Sequence, residues 1–404
     1  MHLTYCSNIH PGESWPEVLQ TLERQVPQVK ARVSPDAPMG VGLRLSARAA
    51  RELLGRPTAL PALRSALDAR GLYVFTLNGF PYGPFHGHAI KQAVYRPDWC
   101  EPARAAYSAD LFEILGALLP DAMAGSVSTV PGGFRPDIDR PAARLRMREQ
   151  LLRCAADLWR REQDTGRAIT LALEPEPHCM LETTEEAVAF FESTLLGPEA
   201  LERMAALIGA TRVTAEAAIR RHLGLCLDTC HAAVEFEDPR TCVDRIAAAG
   251  LRLAKVQITA ALVLDPVTDE AVARLQPFDD GQYLHQVVAR DDHGRLHRFL
   301  DLDDAIRSRA QGHHRPVAWR VHFHVPIFHD EPGPLSTTAD SLAPLLAQVH
   351  ARGLSPHFEV ETYTWGVLPP SHRTLPLADA IARELTTAAA LLRHTHGASR
   401  ECVA

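Results

Sequence analysis

The sequence predicts a single (β/α)8 barrel, and three observations lead there. Short β-type runs alternate with longer helical patterns, the order of a parallel α/β fold. Most of the runs are continuously apolar rather than alternating, which marks strands covered on both faces. The 404 residues, 46% hydrophobic and 23% charged, suit one large globular unit over 1–404, with no linker or repeat array dividing it.

The strand runs follow in order. They are LTYCSN from Leu3, GVGLRLS from Gly40 to Ser46, LYVFTLN to Asn78, GSVSTV to Val130, ITLALE to Glu174 and LGLCLD to Asp228. AKVQIT to Thr259, WRVHFHV to Val325 and HFEVET to Thr362 complete the set. That is one run too many for eight staves. The stretch at about 261–316 reads as an insertion, in which apolar residues alternate about DDHG as a β-hairpin turning at Asp291–Gly294. Among the helices, Asp139 before Pro141 predicts a capped start, with apolar residues recurring at Leu145, Leu151, Leu152, Ala155 and Leu158. Thr183 and Glu186 form a capping-box pattern for a helix ending at Gly197. Two further helices end at Gly353 and Gly397, the last with Arg393, His394 and His396 in its final turn, where cations suit the dipole.

Composition narrows the function. The net charge is −7 and the basic residues are scattered, against a nucleic-acid surface. The N-terminus lacks a basic-then-apolar leader and no apolar run reaches the length of a membrane span, so a cytoplasmic protein is expected. The eight cysteines form no CxxC and no paired framework, and read as reduced, small buried hydrophobes.

In such a barrel the chemistry sits where the strands end. Glu174 leaves an apolar strand in LALEPEPHC, where Pro175 and Pro177 fix the exit of the chain. Asp228 ends LGLCLD, with His231 three residues on. Glu361 shares a face with His357 and Glu359 by the period of two, as His322 does with His324. A carboxylate at the end of a buried strand is costly unless it is paired or bound. Each also reads as an ordinary helix cap. Together, three carboxylates with an imidazole suit a divalent cation such as Mn²⁺, Mg²⁺, Co²⁺ or Zn²⁺. Asn78 and His86, in the loop NGFPYGPFHG, are candidate substrate contacts, as is His10 after the first strand; each reads equally as a packed loop residue.

The segment GLCLDTCHA resembles the xylose-isomerase-like superfamily of barrels, which includes apurinic-site endonucleases and sugar epimerases of the tagatose-epimerase type. The resemblance implies Glu174, Asp228 and Glu361 as metal ligands, and Glu174 and Glu361 as an acid–base pair. HFHV resembles the epimerases' seventh-strand histidine segment, implying His324 as the imidazole ligand with His322 behind it. Gln257, one helix and one strand beyond Asp228, competes for the same place, and the sequence leaves the three open. Longer segments, among them LTYCSNIHPGESW, TLNGFPYGPFHG, KVQITAAL and HFEVETYTWGVLP, resemble the metabolite traffic protein EboE family along nearly the whole chain. That family is assigned to a gene cluster for making or moving a small secreted metabolite, which makes other proteins of the cluster candidate partners.

The expectation is a metal-dependent isomerase or epimerase of a sugar-like or cyclitol-like polyol, with His231 binding a substrate oxygen. Two other readings stand beside it. One is a phosphoester hydrolase of the endonuclease type, although Ser46, Asn78 and STVPGG stand where that chemistry needs histidines. The other is a non-catalytic carrier, which Gln257 in place of a histidine favours.

Overall fold

The computed structural model describes residues 1–87, 89–312, 316–329 and 335–393. Eight strands form the barrel: β1 (His2–Tyr5), β2 (Met39–Arg44), β3 (Leu72–Asn78), β4 (Gly125–Thr129), β5 (Ile169–Leu173), β6 (Leu223–Asp228), β7 (Arg252–Ile258) and, after an insertion, β13 (His357–Val360). All are parallel, in the order β1-β13-β7-β6-β5-β4-β3-β2, with helices outside, as the sequence predicts. The ring closes between β1 and β2. There the Thr4 hydroxyl donates to Gly40 O at 2.8 Å and accepts from Gly42 N at 3.0 Å, and Cys6 bridges to Gly42. Gly42 is required at this seam. A Cβ there would stand 1.6 Å from Glu359 Oε1 and 2.7 Å from the Tyr5 carbonyl oxygen.

The ninth strand candidate is not a stave. It is β11 (Pro316–Val325), in a separate antiparallel sheet with β8 (Ala260–Leu264), β9 (Val287–Asp291), β10 (Leu296–Phe299) and β12 (Ser336–Thr337), ordered β10-β9-β11-β8-β12. The expected hairpin is β9–β10, with Gly294 at φ +78 in its turn. One residue, Thr259, separates β7 from β8, so the sheet starts at the barrel rim. Val325 pairs with Ala260, which carries His322 and His324 over the mouth. The inserted segment therefore runs beyond Pro316, to Thr337, because β11 and β12 complete its sheet.

The helix Pro141–Thr165 starts at the proline, as expected, but Arg140 occupies its cap position and Asp139 pairs with Arg144 instead. Thr183 Oγ1 accepts from Glu186 N, while the Glu186 carboxylate turns to Arg135, so half of the capping box forms. Gly397, His394, His396 and Cys402 lie outside the described residues. The seven described cysteines are free thiols, and among the described residues no helix is long and apolar enough to cross a membrane.

One buried cation fixes the loop beyond β3. Arg104, fully buried in the helix Pro102–Leu118, donates to the carbonyls of Pro97, Gly79 and Phe80 at 2.8, 2.9 and 2.9 Å. Arg104→Leu strands three buried acceptors, each worth about 1–3 kcal/mol. A loss of at least about 3 kcal/mol in chemical denaturation is expected; a loss under about 1 kcal/mol would show that the loop holds itself.

Candidate metal centre and active-site pocket

The barrel lumen is polar in layers, because alternate residues of β13 and its continuation point inward. At the bottom, His357 Nδ1 meets Ser126 Oγ at 2.9 Å, and Ser126 meets Thr76 at 2.8 Å. Above it, Glu359 and Lys255 form an ion pair at 2.5 Å, both fully buried. At the top, Glu174, Asp228 and Glu361 converge, each 4% exposed or less. Each of the three offers an oxygen within 4.8 Å of the others.

Each carboxylate is positioned by local chain geometry. Asp228 caps the short helix Thr229–Val234: its Oδ1 accepts from Cys230 N at 2.7 Å and His231 N at 3.1 Å. The cap uses one oxygen only, and Oδ2 is buried with no hydrogen bond. Glu361 Oε1 accepts from the side-chain amides of Asn8 and Asn78, both at 2.7 Å. The Asn78 amide is oriented by Phe80 N, which donates to its oxygen at 3.0 Å. Glu174 Oε2 is buried with no hydrogen bond, and so are both side-chain polar atoms of Gln257, which lies beside Asp228 in the β6–β7 register.

Burial, and next the Asp228 charge, raises the Glu174 carboxyl well above its ordinary range; burial and then Glu174 do the same to Glu361. Burial also raises Asp228, although His324 works against it. Two unit charges 4 Å apart repel by about 4 kcal/mol at an effective dielectric of 20, so three ionised carboxylates here need a counter-charge. The orphaned oxygens and the oxygen-rich donor set fit a hard divalent cation.

Three histidines border the acids. His231 comes from the helix after β6, while His322 and His324 come from β11. His324 Nδ1 meets the Glu361 carbonyl at 2.8 Å, and its ring lies with His231 and Asp228 in a second group of convergent donors. His322 and Glu176 join His231 in a third. Acids and histidines open onto a pocket of about 550 Å³ of free space. Its far wall is apolar, with Phe80, Phe85, Ile90 and Leu284 among its residues, and Tyr95, Tyr283 and Tyr363 complete it.

The structure brings Glu174, Asp228, Glu361, His231, His322, His324 and Asn78 together. Gln257 lies behind the pocket rather than on its wall. His10 turns to the Tyr5 hydroxyl at 3.1 Å and does not line the pocket. Nor does His86, which meets Asn8 O at 2.6 Å and the Tyr283 hydroxyl at 3.2 Å. Sequence reasoning missed Asn8, Glu176 and Gln286. Asn8 was visible in CSNIH, one turn past the first strand, and Glu176 in EPEPH. Gln286 had no local signal, because only the insertion's folding delivers it.

Groups away from the acids set a pH dependence. Burial lowers His10 to about 4 and His357 to about 3 from an ordinary 6.5, and raises Glu384 from 4.5 to about 7. A histidine lowered on folding favours the unfolded state as pH falls below 6.5. A carboxyl raised on folding favours the unfolded state as pH climbs from 4.5 to 7. Metal-free protein should therefore be most stable between about pH 4.5 and 6.5. Urea midpoints at pH 4, 5.5 and 8 test this; a maximum at pH 8 would contradict it.

No family model and no curated protein matches the chain, so the narrower EboE resemblance rests on the sequence segments alone. Solved structures match in fold. A xylose-isomerase-like TIM-barrel protein from Mycobacterium smegmatis, in complex with magnesium, aligns at TM-score 0.53 and 10% identity over 98% of this chain and 97% of that one. An L-ribulose 3-epimerase aligns at 0.49 and 13% identity over 100% and 99%. The IOLI protein with a bound zinc atom aligns at 0.48 and 11% over 98% and 99%. The architecture is that of a xylose-isomerase-like barrel.

Proposed function

We propose that the chain is a divalent-metal-dependent isomerase or epimerase of a sugar-like or cyclitol-like polyol. One observation carries this reading: Glu174 and Glu361 face the same pocket while Asp228 keeps an unused buried oxygen behind them. Glu174, Asp228 and Glu361 would hold the cation, with His324 as the imidazole donor beside Asp228. A bound cation would grip two adjacent substrate oxygens and acidify the neighbouring C–H. Glu174 removes that proton and Glu361, steadied by Asn8 and Asn78, delivers one to the carbon. His231 meets a substrate oxygen. The apolar wall excludes water from the reacting carbon. Magnesium in the Mycobacterium smegmatis barrel makes Mg²⁺ and Mn²⁺ natural first probes. A cytoplasmic place in a pathway for making or moving a small metabolite is the setting this reading implies.

The test is solvent-deuterium incorporation into a panel of ketoses and keto-cyclitols by Mn²⁺-loaded protein, followed by mass spectrometry. Exchange that requires Mn²⁺ and disappears in Glu361→Gln supports the reading. Absence of exchange across the panel, together with no Mn²⁺ uptake, rejects it.

A further inference from the structure

The three pocket histidines share one arrangement. Each ring places Nδ1 against an oxygen that only accepts: His231 on Pro175 O at 3.0 Å, His322 on Gln286 Oε1 at 2.7 Å and His324 on Glu361 O at 2.8 Å. A carbonyl oxygen requires the Nδ1 to carry the proton. In the neutral rings every Nε2 is therefore a bare lone pair. The Gln286 orientation is itself fixed: its Nε2 donates to the Tyr95 hydroxyl at 2.7 Å, and Tyr95 donates to Glu176 at 2.8 Å.

The lone pairs converge. His322 Nε2 and His324 Nε2 stand 3.1 Å apart, where neither has a proton to share with the other. His231 Nε2 lies 4.0 Å from Asp228 Oδ2, the oxygen with no hydrogen bond. Two bare nitrogens at that separation repel unless a positive charge lies on both. A proton on one ring is one remedy, but burial opposes it, holding His322 well below 6.5 and His324 near 4. A metal ion is the other. Nitrogen ligands at about 2.0–2.1 Å from a tetrahedral zinc are spaced on the order of 3.3 Å, close to the observed gap. Ligating histidines characteristically donate their other N–H to a carbonyl or carboxylate, as all three do here.

We infer a second cation site in which the Nε2 atoms of His231, His322 and His324 bind a zinc-like ion, with Asp228 Oδ2 shared between it and the acidic site. The inference rests on the proposed cation at Glu174, Asp228 and Glu361, and extends it to a two-ion centre. In that centre His324 belongs to the nitrogen-rich ion. The Gln257 amide, unpartnered at both atoms, is the neutral donor left to the oxygen-rich ion. His231 then meets substrate through an ion rather than directly. Two of the three nitrogens come from the insertion sheet, so the second ion joins barrel and insertion.

The test is metal content after dialysis of purified full-length protein against Zn²⁺, with crystallographic anomalous differences at the zinc edge to place each ion. Wild type should hold two equivalents, His322→Ala/His324→Ala one, and Glu174→Gln/Glu361→Gln one. One equivalent in wild type, kept in the histidine variant and lost in the glutamate variant, overturns the second site and leaves the proposed function standing. One equivalent kept in the glutamate variant and lost in the histidine variant supports the nitrogen site and overturns the acidic one. None in wild type overturns both. If the alanine variant misfolds, His322→Gln keeps the volume, and Co²⁺ titration reads the site independently. Loss of the visible bands of nitrogen-bound Co²⁺ in His322→Gln supports the inference, and unchanged bands reject it.

Discussion

Lys255→Met alone should destabilise the protein by roughly 3–5 kcal/mol, because it leaves a buried charge with no partner. Lys255 and Glu359 are both fully enclosed in the lumen, 2.5 Å apart. Burial pulls the Lys255 pKa down, but the Glu359 carboxylate overrides this and holds it above its ordinary value. Removing the ammonium leaves Glu359 ionised at high cost or forces it to take up a proton. Removing both charges is a different matter. Lys255→Met/Glu359→Leu replaces the pair with apolar groups of similar volume, which is often neutral or stabilising. The double variant should recover most of the loss in urea denaturation. A single variant within about 1 kcal/mol of wild type would mean that the pair is not ionised in the folded protein.

A divalent cation at a hundred times its dissociation constant should stabilise the protein by about 2.7 kcal/mol through linkage. The effect should vanish in Glu174→Gln and Asp228→Asn. The second substitution isolates ligation from capping, because Asn keeps an oxygen for Cys230 N and His231 N. Both variants should fold, since the metal-free acids repel one another and an amide relieves that repulsion. If the proposed proton transfer is right, Glu361→Gln should lower turnover by about 10²–10⁴-fold. Calorimetric titration with Mn²⁺ of wild type and the two ligand variants decides the first point; full stabilisation in either variant places the ion elsewhere.

Much of this was legible because strands and their ends announce themselves. The continuous apolar runs marked β2 to β7 as covered staves, and Glu174, Asp228 and Glu361 stood out as charges at the ends of such runs. The extra strand run was visible too, but not its place. VHFHV has the same local pattern as a stave, and only the antiparallel pairing of β11 with β8 and β9 separates the two. The Lys255–Glu359 pair was hidden for a related reason. One charge in KVQIT and one in HFEVET look like solvent-facing positions until the ring closes and turns both inward. Asn78 read as a substrate contact because loop amides usually meet solvent or ligand. Its partner, Glu361, lies 283 positions away, beyond any local pattern.

The single residue between β7 and β8 decides how molecules enter. Thr259 is held at both backbone groups by Thr229, whose hydroxyl donates to its carbonyl at 2.6 Å and accepts from its N–H at 2.9 Å. A junction this short and doubly clasped leaves the insertion sheet no hinge on that side. Admission must then come from the opposite flank, where the loop after β3 meets the insertion through Ile90 N on Gln282 O at 2.8 Å and Lys91 on Asp301 at 2.6 Å. That latch, made of one backbone contact and one half-exposed ion pair, is the weak door of an otherwise rigid vestibule.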